Sequence, residues 1–390
     1  MTPAALDIAP LDSRAYALLA AEGFGADLFN ARQHVACELV EGYATALAAE
    51  LFQRLDLGTV LAETTSIEQA CALRGWTPRI VPALEWLVAR LGETGHLVRT
   101  ADGQHAVLPM PPEARAAIRE RGLAEDPSYA PAYDLLDETA AAFPAIASGE
   151  TTGERALLGK LGLWIRYFDN RNAYYALNNR VTARAAASRL DPGARVLEVG
   201  AGLGSATEAL LEDLAARDGL GRIAAYRATE PVPLFRRRAE RVLTGLHPAL
   251  PLTFAPLDMN APWAAQGVEP GGHQLVWGVN VFHLARDLDA VLRCAHTALA
   301  PGGWLVVGEG MRPAAASVVG AEFPFRLLES FTDVHLDPAT RPTSGFLTAE
   351  HWLGALARAG FDDVVVVPDV VRLRAYYPGM LAAAACGRRR

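Results

Sequence analysis

The sequence predicts an α/β protein in which an open, doubly wound sheet follows a mainly helical, winged-helix-like region. Three observations carry this reading. A strand, a glycine turn and a helix start stand together at Arg195–Glu208. Apolar strand candidates alternate with amphipathic helices from about 184 to 380, and a helix–helix–hairpin pattern occupies 66–108. The chain has 390 residues, enough for two or three domains and a sizeable core. The expected division is 1–110 for the winged-helix-like domain, 111–183 for a helical linker covering substrate or cofactor, and 184–380 for the sheet domain with a lid insertion near 312–347.

Composition narrows the class. Apolar residues make up 51% and charged residues 21%, as expected of a soluble globular chain. A net charge of −8 does not favour a nucleic-acid partner, and the Arg388-Arg389-Arg390 tail is too short to reverse that. The four cysteines, Cys37, Cys71, Cys294 and Cys386, have neither metal-knuckle nor redox spacing and read as buried small side chains in a reducing compartment. The scattered histidines establish no metal site. The start, with acids at Asp7 and Asp12, is unlike a secretory signal, and no uncharged apolar run is long enough to span a membrane. A cytoplasmic location is the expectation.

Residues 1–25 read as a short arm or a helix at a partner interface. In 34–56, Val35, Leu39, Tyr43, Leu47 and Leu51 mark one helical face, which Gly58 interrupts. Ser66 caps a short helix over 68–73, a second helix covers 78–91, and 96–99 with 105–108 form a hairpin around Ala101-Asp-Gly103. The second helix has only Arg79 and Arg90 as cations, and Leu84, Leu87, Val88 and Leu91 make a core-facing stripe. Packing, dimerisation or a substrate lid therefore suits this module better than DNA binding.

Residues 112–190 read as mostly helical, divided by Pro127, Pro131 and Pro144. Within them, 164–180 is dense in aromatics, amides and arginines. Trp164, Tyr167, Phe168, Tyr174 and Tyr175 are expected to pack a domain seam or to cover substrate or cofactor. Asn178 and Arg180 are hydrogen-bonding candidates.

A helix over 184–190 leads into the strand 195–199 and then the glycine turn. Gly200, Gly202 and Gly204 are too closely spaced for the dinucleotide fingerprint. Glu198 adds a carboxylate at the strand end, which suits a cationic amino-acid cofactor better than a diphosphate. After a helix at 205–216, the strand 223–229 ends at Glu230, placed to accept ribose hydroxyls. A basic helix over 234–244 precedes the strand 252–256. Asp258 follows as an acceptor for an adenine amino group, with Met259 against the ring face.

The next strand, beginning at 273, brings Asn280 and His283 to its carboxyl end, and the one after Pro301-Gly-Gly303 ends at Glu309. A neutral histidine removes a substrate proton, and a neighbouring carboxylate orients it and stabilises its charged form. His283 and Glu309 are accordingly a candidate catalytic pair. Phe323, Phe325, Arg326, Phe331 and His335 lie in an insertion over 322–347 with the composition of a lid or pocket wall. A late strand over 363–368 is expected to pair with 371–377.

With these motifs the sequence resembles the class I S-adenosylmethionine-dependent methyltransferases. The resemblance rests on Glu198-Val-Gly-Ala-Gly-Leu-Gly204, Glu230, Asp258, Pro301-Gly-Gly303 and Ala359-Gly-Phe361, and covers roughly 155–380. Asn280–Leu288 and Leu299–Glu309 look most like the methyltransferase domains of polyketide synthases. The resemblance implies a Rossmann-like seven-stranded sheet and S-adenosyl-L-methionine as cofactor. It implies that Glu198 and the glycines hold the methionine portion, Glu230 the ribose, and Asp258 with Met259 the adenine, with Asn280 beside them. In related carbon-methylating domains a histidine and a glutamate act together as base, matching His283 and Glu309. The N-terminal region is instead similar to that of small-molecule O-methyltransferases, which often dimerise there.

The expected function is methyl transfer to carbon or oxygen of a small molecule of secondary metabolism. A carrier-bound polyketide or peptide acceptor is the alternative, and a non-catalytic regulatory or scaffold protein is a third. No carrier, ketosynthase or acyltransferase sequence surrounds this region, which reads as a free enzyme or an excised piece.

Overall fold

Alanine and leucine at helical spacing build the 24-residue helix Ala31–Arg54, opened by the Asn30 side chain accepting from Gln33 N at 3.0 Å. Leu39, Tyr43, Leu47 and Leu51 are buried on it, as the periodicity predicts. The computed structural model describes residues 8–100, 105–108 and 113–390. The chain divides into two units, one of Met1–Leu11, Asn30–Tyr167 and Ala316–Asp333, the other of Asp12–Phe29, Phe168–Ala315 and Val334–Arg390.

In the first unit the long helix ends at Arg54, and Asp56, two residues on with φ of 51°, turns the chain off the helical path. Gly58, expected to be the break, lies inside the next helix, Leu57–Ala62. Ser66 caps Ile67–Arg74 by accepting from Gln69 N, and Pro78 opens a tight turn leading into Val81–Glu93. Two short strands, β1 (Leu97–Arg99) and β2 (His105–Val107), pair antiparallel. The hairpin turn Ala101–Gly103 and Asp7 lie outside the described residues. Arg90 is turned inward, paired with Glu41 at 2.9 Å and donating to Thr45 Oγ1 and the Val318 carbonyl.

Pro131 and Pro144 do not divide the following region. Pro131 sits in the first turn of Ala130–Ala147, where no intrahelical N–H is needed, and Pro144 is accommodated near that helix's end. The stretch expected as a lid splits between the units. Its first part packs within the first unit, where Phe323 stacks on Trp86 at 4.6 Å between centroids.

The second unit is built on β3 (Ala194–Val199), β4 (Ile223–Thr229), β5 (Leu252–Ala255), β6 (His273–Val279), β7 (Leu299–Gly310), β8 (Asp362–Val367) and β9 (Ala382–Arg388). Their order is β5-β4-β3-β6-β7-β9-β8, parallel except for β9. The chain winds outward from β3 to β5 and returns to β6 on the other side, so the switch point lies between β3 and β6. Ligands of open α/β sheets bind beyond the carboxyl ends of strands at such a point. The core on one face joins Val196, Tyr226, Leu275 and Trp277 to Leu210, Leu211 and Leu214 of the helix Ser205–Ala215.

Four expectations are corrected here. The helix placed at 184–190 is Ala173–Ala187, so it takes in much of the aromatic and amide segment. The expected strand at 371–377 is replaced by a helical turn, Val370–Leu373, capped by Asp369. The partner of β8 is instead the alanine-rich β9, beyond residue 380. Its Ala383, Ala384 and Ala385 are wholly buried between β7 and β8. Cys37 and Cys294 are only partly buried, unlike Cys71 and Cys386. The N-terminal arm forms the helix Ser13–Ala21, with Leu19 buried.

Candidate active site

The carboxyl ends of β3 and β6 meet through their glycines. Gly200 has φ of 67°, and a Cβ there would lie 2.4 Å from Val281 Cγ2. Only glycine lets the β3 turn approach the loop after β6 this closely. Gly202 has φ of 56° with nothing within 4 Å of a would-be Cβ, so its backbone borders open space. Gly204, also at positive φ, is the N-cap residue of Ser205–Ala215. The three glycines thus form a turn whose middle is open and whose ends are packed.

Glu198 points into the sheet–helix layer. Its Oε2 accepts from Thr207 Oγ1 at 2.5 Å and Tyr226 OH at 2.6 Å, and Tyr226 OH accepts from Trp277 Nε1 at 3.1 Å. Side-chain alternation explains the meeting: Glu198 is paired with Ala228 and Trp277, and Tyr226 lies two residues before Ala228 on the same face. Burial pushes the Glu198 carboxyl up to about 7, against the two hydroxyl donors that lower it. Thr207 and Tyr226 were not singled out in the sequence, because tyrosine and threonine suit buried positions without any polar task.

Glu230 closes the turn from the β4 side. One of its oxygens accepts from Gly202 N at 3.0 Å and the other from Val232 N at 2.9 Å. Burial raises its pKa, while those two N–H donors oppose the rise. Asp258 is exposed beyond β5, and its Oδ1 accepts from Asn260 N at 2.9 Å. The half-buried Met259 has its carbonyl held by Trp263 Nε1 at 3.0 Å.

Asn280 follows β6 with φ of 52°. Its Oδ1 accepts from Asn178 Nδ2 at 2.7 Å, and its side chain also bonds the Tyr175 hydroxyl. The helix Ala173–Ala187 therefore brings Tyr175 and Asn178 to the strand end. Phe168 packs edge-on to Tyr175 at 5.1 Å, Tyr174 is half-buried and Arg180 is exposed. Asn170, outside the predicted set, donates to Ser205 O at 2.7 Å and accepts from the buried Asn179.

His283 and Glu309, separated in sequence, meet because β6 and β7 are parallel neighbours. His283 Nδ1 lies 2.6 Å from Glu309 Oε2, and both side chains are buried. Glu309 Oε1 accepts from the backbone N–H of Val281, Phe282 and His283 at 3.1, 2.9 and 3.3 Å. The Phe346 ring packs edge-on to the imidazole at 5.1 Å. A carboxylate fixed by three donors in this way holds the ring's orientation and favours a proton on Nδ1.

Trp164, Tyr167, Phe325 and Phe331 pack on one another within the first unit, and Phe323 is wholly buried there. Arg326 pairs with Glu322 at 3.4 Å and covers the Phe331 ring. His335 is exposed in the second unit, and its backbone N–H donates to Arg286 O.

Residues 197–305 match the family model described as a methyltransferase domain. A highly reducing polyketide synthase of Aspergillus terreus, valA, is 30% identical over 238 residues, 59% of this chain and 9% of the synthase. The chain thus spans about a tenth of that relative. The crystal structure of the CurJ carbon methyltransferase aligns with a TM-score of 0.73 at 21% identity, covering 97% of this chain and 99% of that one. The DszA carbon methyltransferase aligns at 0.71 and 22% identity, covering 100% and 99%. At that identity the structural likeness speaks for the fold. Residues 197–305 thus match a methyltransferase domain, on a fold like that of these two carbon methyltransferases.

Proposed function

We propose that this chain methylates a carbon atom of a polyketide intermediate held on a carrier protein, with His283 as general base. The observation that carries the reading is the buried His283–Glu309 pair beside the glycine turn at the sheet's switch point. The polyketide synthases among its relatives support the acceptor class.

The cofactor cradle fits S-adenosylmethionine. The backbone at Gly202 borders open space, and Glu230 sits against it as a strand-end carboxylate for the ribose. Glu198, buried beneath the turn and bonded to Thr207 and Tyr226, anchors the strand end from which the turn departs. Asp258 and Met259 extend the cradle toward the adenine. S-adenosylmethionine, when bound, supplies a methyl group made electrophilic by its positive sulfonium.

The residues of the chain prepare the acceptor. With its proton on Nδ1 and directed to Glu309, His283 presents the Nε2 lone pair as the base. A carbon flanked by carbonyls is acidic enough to give its proton to such an imidazole, leaving a carbon nucleophile. Glu309 stabilises the imidazolium as it forms, and its three backbone donors keep it from moving. Asn280, held by Asn178 and Tyr175, fixes the neighbouring strand end.

The test uses methyl-labelled S-adenosylmethionine with a β-keto acyl group on a carrier protein, and the same group as a free acid. Mass spectrometry and NMR should find one added methyl on the carbon between the carbonyls of the carrier-bound acceptor. Methylation at oxygen, or of the free acid alone, would overturn the acceptor assignment. Failure to bind the cofactor in calorimetry would remove the enzymatic reading and leave a scaffold.

A further inference from the structure

The short turn that carries His283 is held at its two ends by opposite charges. Its N–H groups, from Val281 to His283, converge on Glu309 Oε1. Its carbonyls, from His283 and Ala285, accept from Nη2 and Nη1 of Arg341. The anion thus faces the N–H end of the turn and the cation its carbonyl end, the favourable sense for a peptide dipole.

Arg341 is 1% exposed. Burial draws its guanidinium down to about 10, against the attraction of Glu309 and Asp287, so it stays charged at neutral pH. Taking a cation out of water is costly unless the surroundings replace its hydration. Its backbone is fixed as well. Arg341 N donates to Asp337 O at 2.7 Å, and Asp337 N to Arg341 O at 2.9 Å. The Asp337 side chain accepts from Ala339 N and Thr340 N, and pairs with Arg358 at 3.2 Å. His335 N donates to Arg286 O at 2.7 Å, a further tie between the two segments. The geometry exceeds what simple space-filling requires, since a planar fork serves two carbonyls of one turn.

We propose that Arg341 is a positioning residue for His283, fixing the turn so that the imidazole keeps its reach to the acceptor. The proposal rests on the reading of His283 as base. Arg341 touches neither acceptor nor cofactor in this role; it acts through the His283 and Ala285 carbonyls.

The test compares Arg341→Met, Arg341→Gln and Arg341→Lys with His283→Ala and the His283→Ala/Arg341→Met double variant, all in the full chain. Arg341→Met should lower kcat about 100-fold, the scale of a misplacement near 1 Å. KM for S-adenosylmethionine and the calorimetric affinity for S-adenosylhomocysteine should stay within about twofold, because the cradle lies on other elements. Arg341→Lys keeps the charge and one carbonyl and should recover about tenfold of that loss. The double variant should be no slower than His283→Ala alone, since both act through one group.

Wild-type kcat in Arg341→Met, or losses that multiply in the double variant, would overturn the positioning role. An equal fall in turnover and cofactor affinity would also overturn it, by pointing to general structural damage. If the methionine variant does not fold, Arg341→Gln and Arg341→Lys decide by the same criteria. Normal turnover in His283→Ala would remove the base reading and this proposal with it. A loss in His283→Ala with none in the Arg341 variants would overturn the positioning role alone.

Discussion

Glu309 serves His283 twice: Oε2 meets the ring at Nδ1, 2.6 Å away, while Oε1 accepts from the His283 backbone N–H at 3.3 Å. The same carboxylate thus sets both the ring and the peptide that carries it. Glu309→Gln separates these tasks. Its amide oxygen suits the three backbone donors, which turns the NH₂ toward Nδ1 and moves the ring proton to Nε2. The base lone pair is then on the wrong nitrogen. We expect kcat to fall by about 10²- to 10⁴-fold, with cofactor affinity and unfolding midpoint near wild type. Unchanged kcat would sink the assignment.

The glycine turn makes a second prediction. Alanine at Gly200 combines positive φ with a Cβ 2.4 Å from Val281 Cγ2, whereas at Gly202 it meets positive φ and open space. Gly200→Ala should cost about 3 kcal/mol and Gly202→Ala about 1 kcal/mol in urea unfolding. Val281→Ala should relieve part of the first. Gly202→Ala should lose more cofactor affinity than its small stability cost implies. The opposite order of stabilities would contradict the packing described at the turn.

Glu198 links stability to pH. Its carboxyl is raised from 4.5 to about 7 by burial. The folded chain therefore holds this proton more tightly than the unfolded chain. The contribution is fully present below pH 4.5 and is lost as pH rises through about 7. A shift of this size corresponds to about 3 kcal/mol. Glu198→Gln cannot ionise, so in cofactor-free protein it should match wild type near pH 4.5 and exceed it by up to about 3 kcal/mol at pH 8. Denaturation curves across that range decide; a variant less stable than wild type at pH 8 would be the contrary result.

Glu230 spans the turn by accepting from Gly202 and Val232. If its carboxylate also receives the ribose hydroxyls, Glu230→Ala should weaken S-adenosylhomocysteine binding about 10- to 100-fold, the range of one or two hydrogen bonds to a charged group. At saturating cofactor kcat should change little. Calorimetry showing unchanged affinity would remove Glu230 from the cofactor site.

Much of the sheet was legible because its signals are local. Val196, Leu197 and Val199 read as a strand and Gly200 to Gly204 as a turn whatever surrounds them, and β3 stands where they placed it. β9 was missed for a physical reason. Alanine favours helices and has little intrinsic tendency to form strands, so Ala382–Ala385 carries no strand signal. Pairing on both sides, with β7 and β8, makes it one. Val370–Leu373 failed in the opposite sense: its valines favour a strand, but the Asp369 cap turns it helical.

The sequence by itself determined the strand–turn–helix unit, the succession of strand-end acids and the residues His283 and Glu309, because these follow from short-range periodicity and side-chain chemistry. Only the tertiary structure decided which of them meet. The parallel pairing of β6 and β7 closed His283 onto Glu309, alternation on β3, β4 and β6 put Tyr226 and Trp277 beneath Glu198, and the loop around Arg341 reached the carbonyls of the His283 turn. Such contacts join residues far apart in the chain, and their geometry is fixed by strand register and burial, which no local pattern encodes.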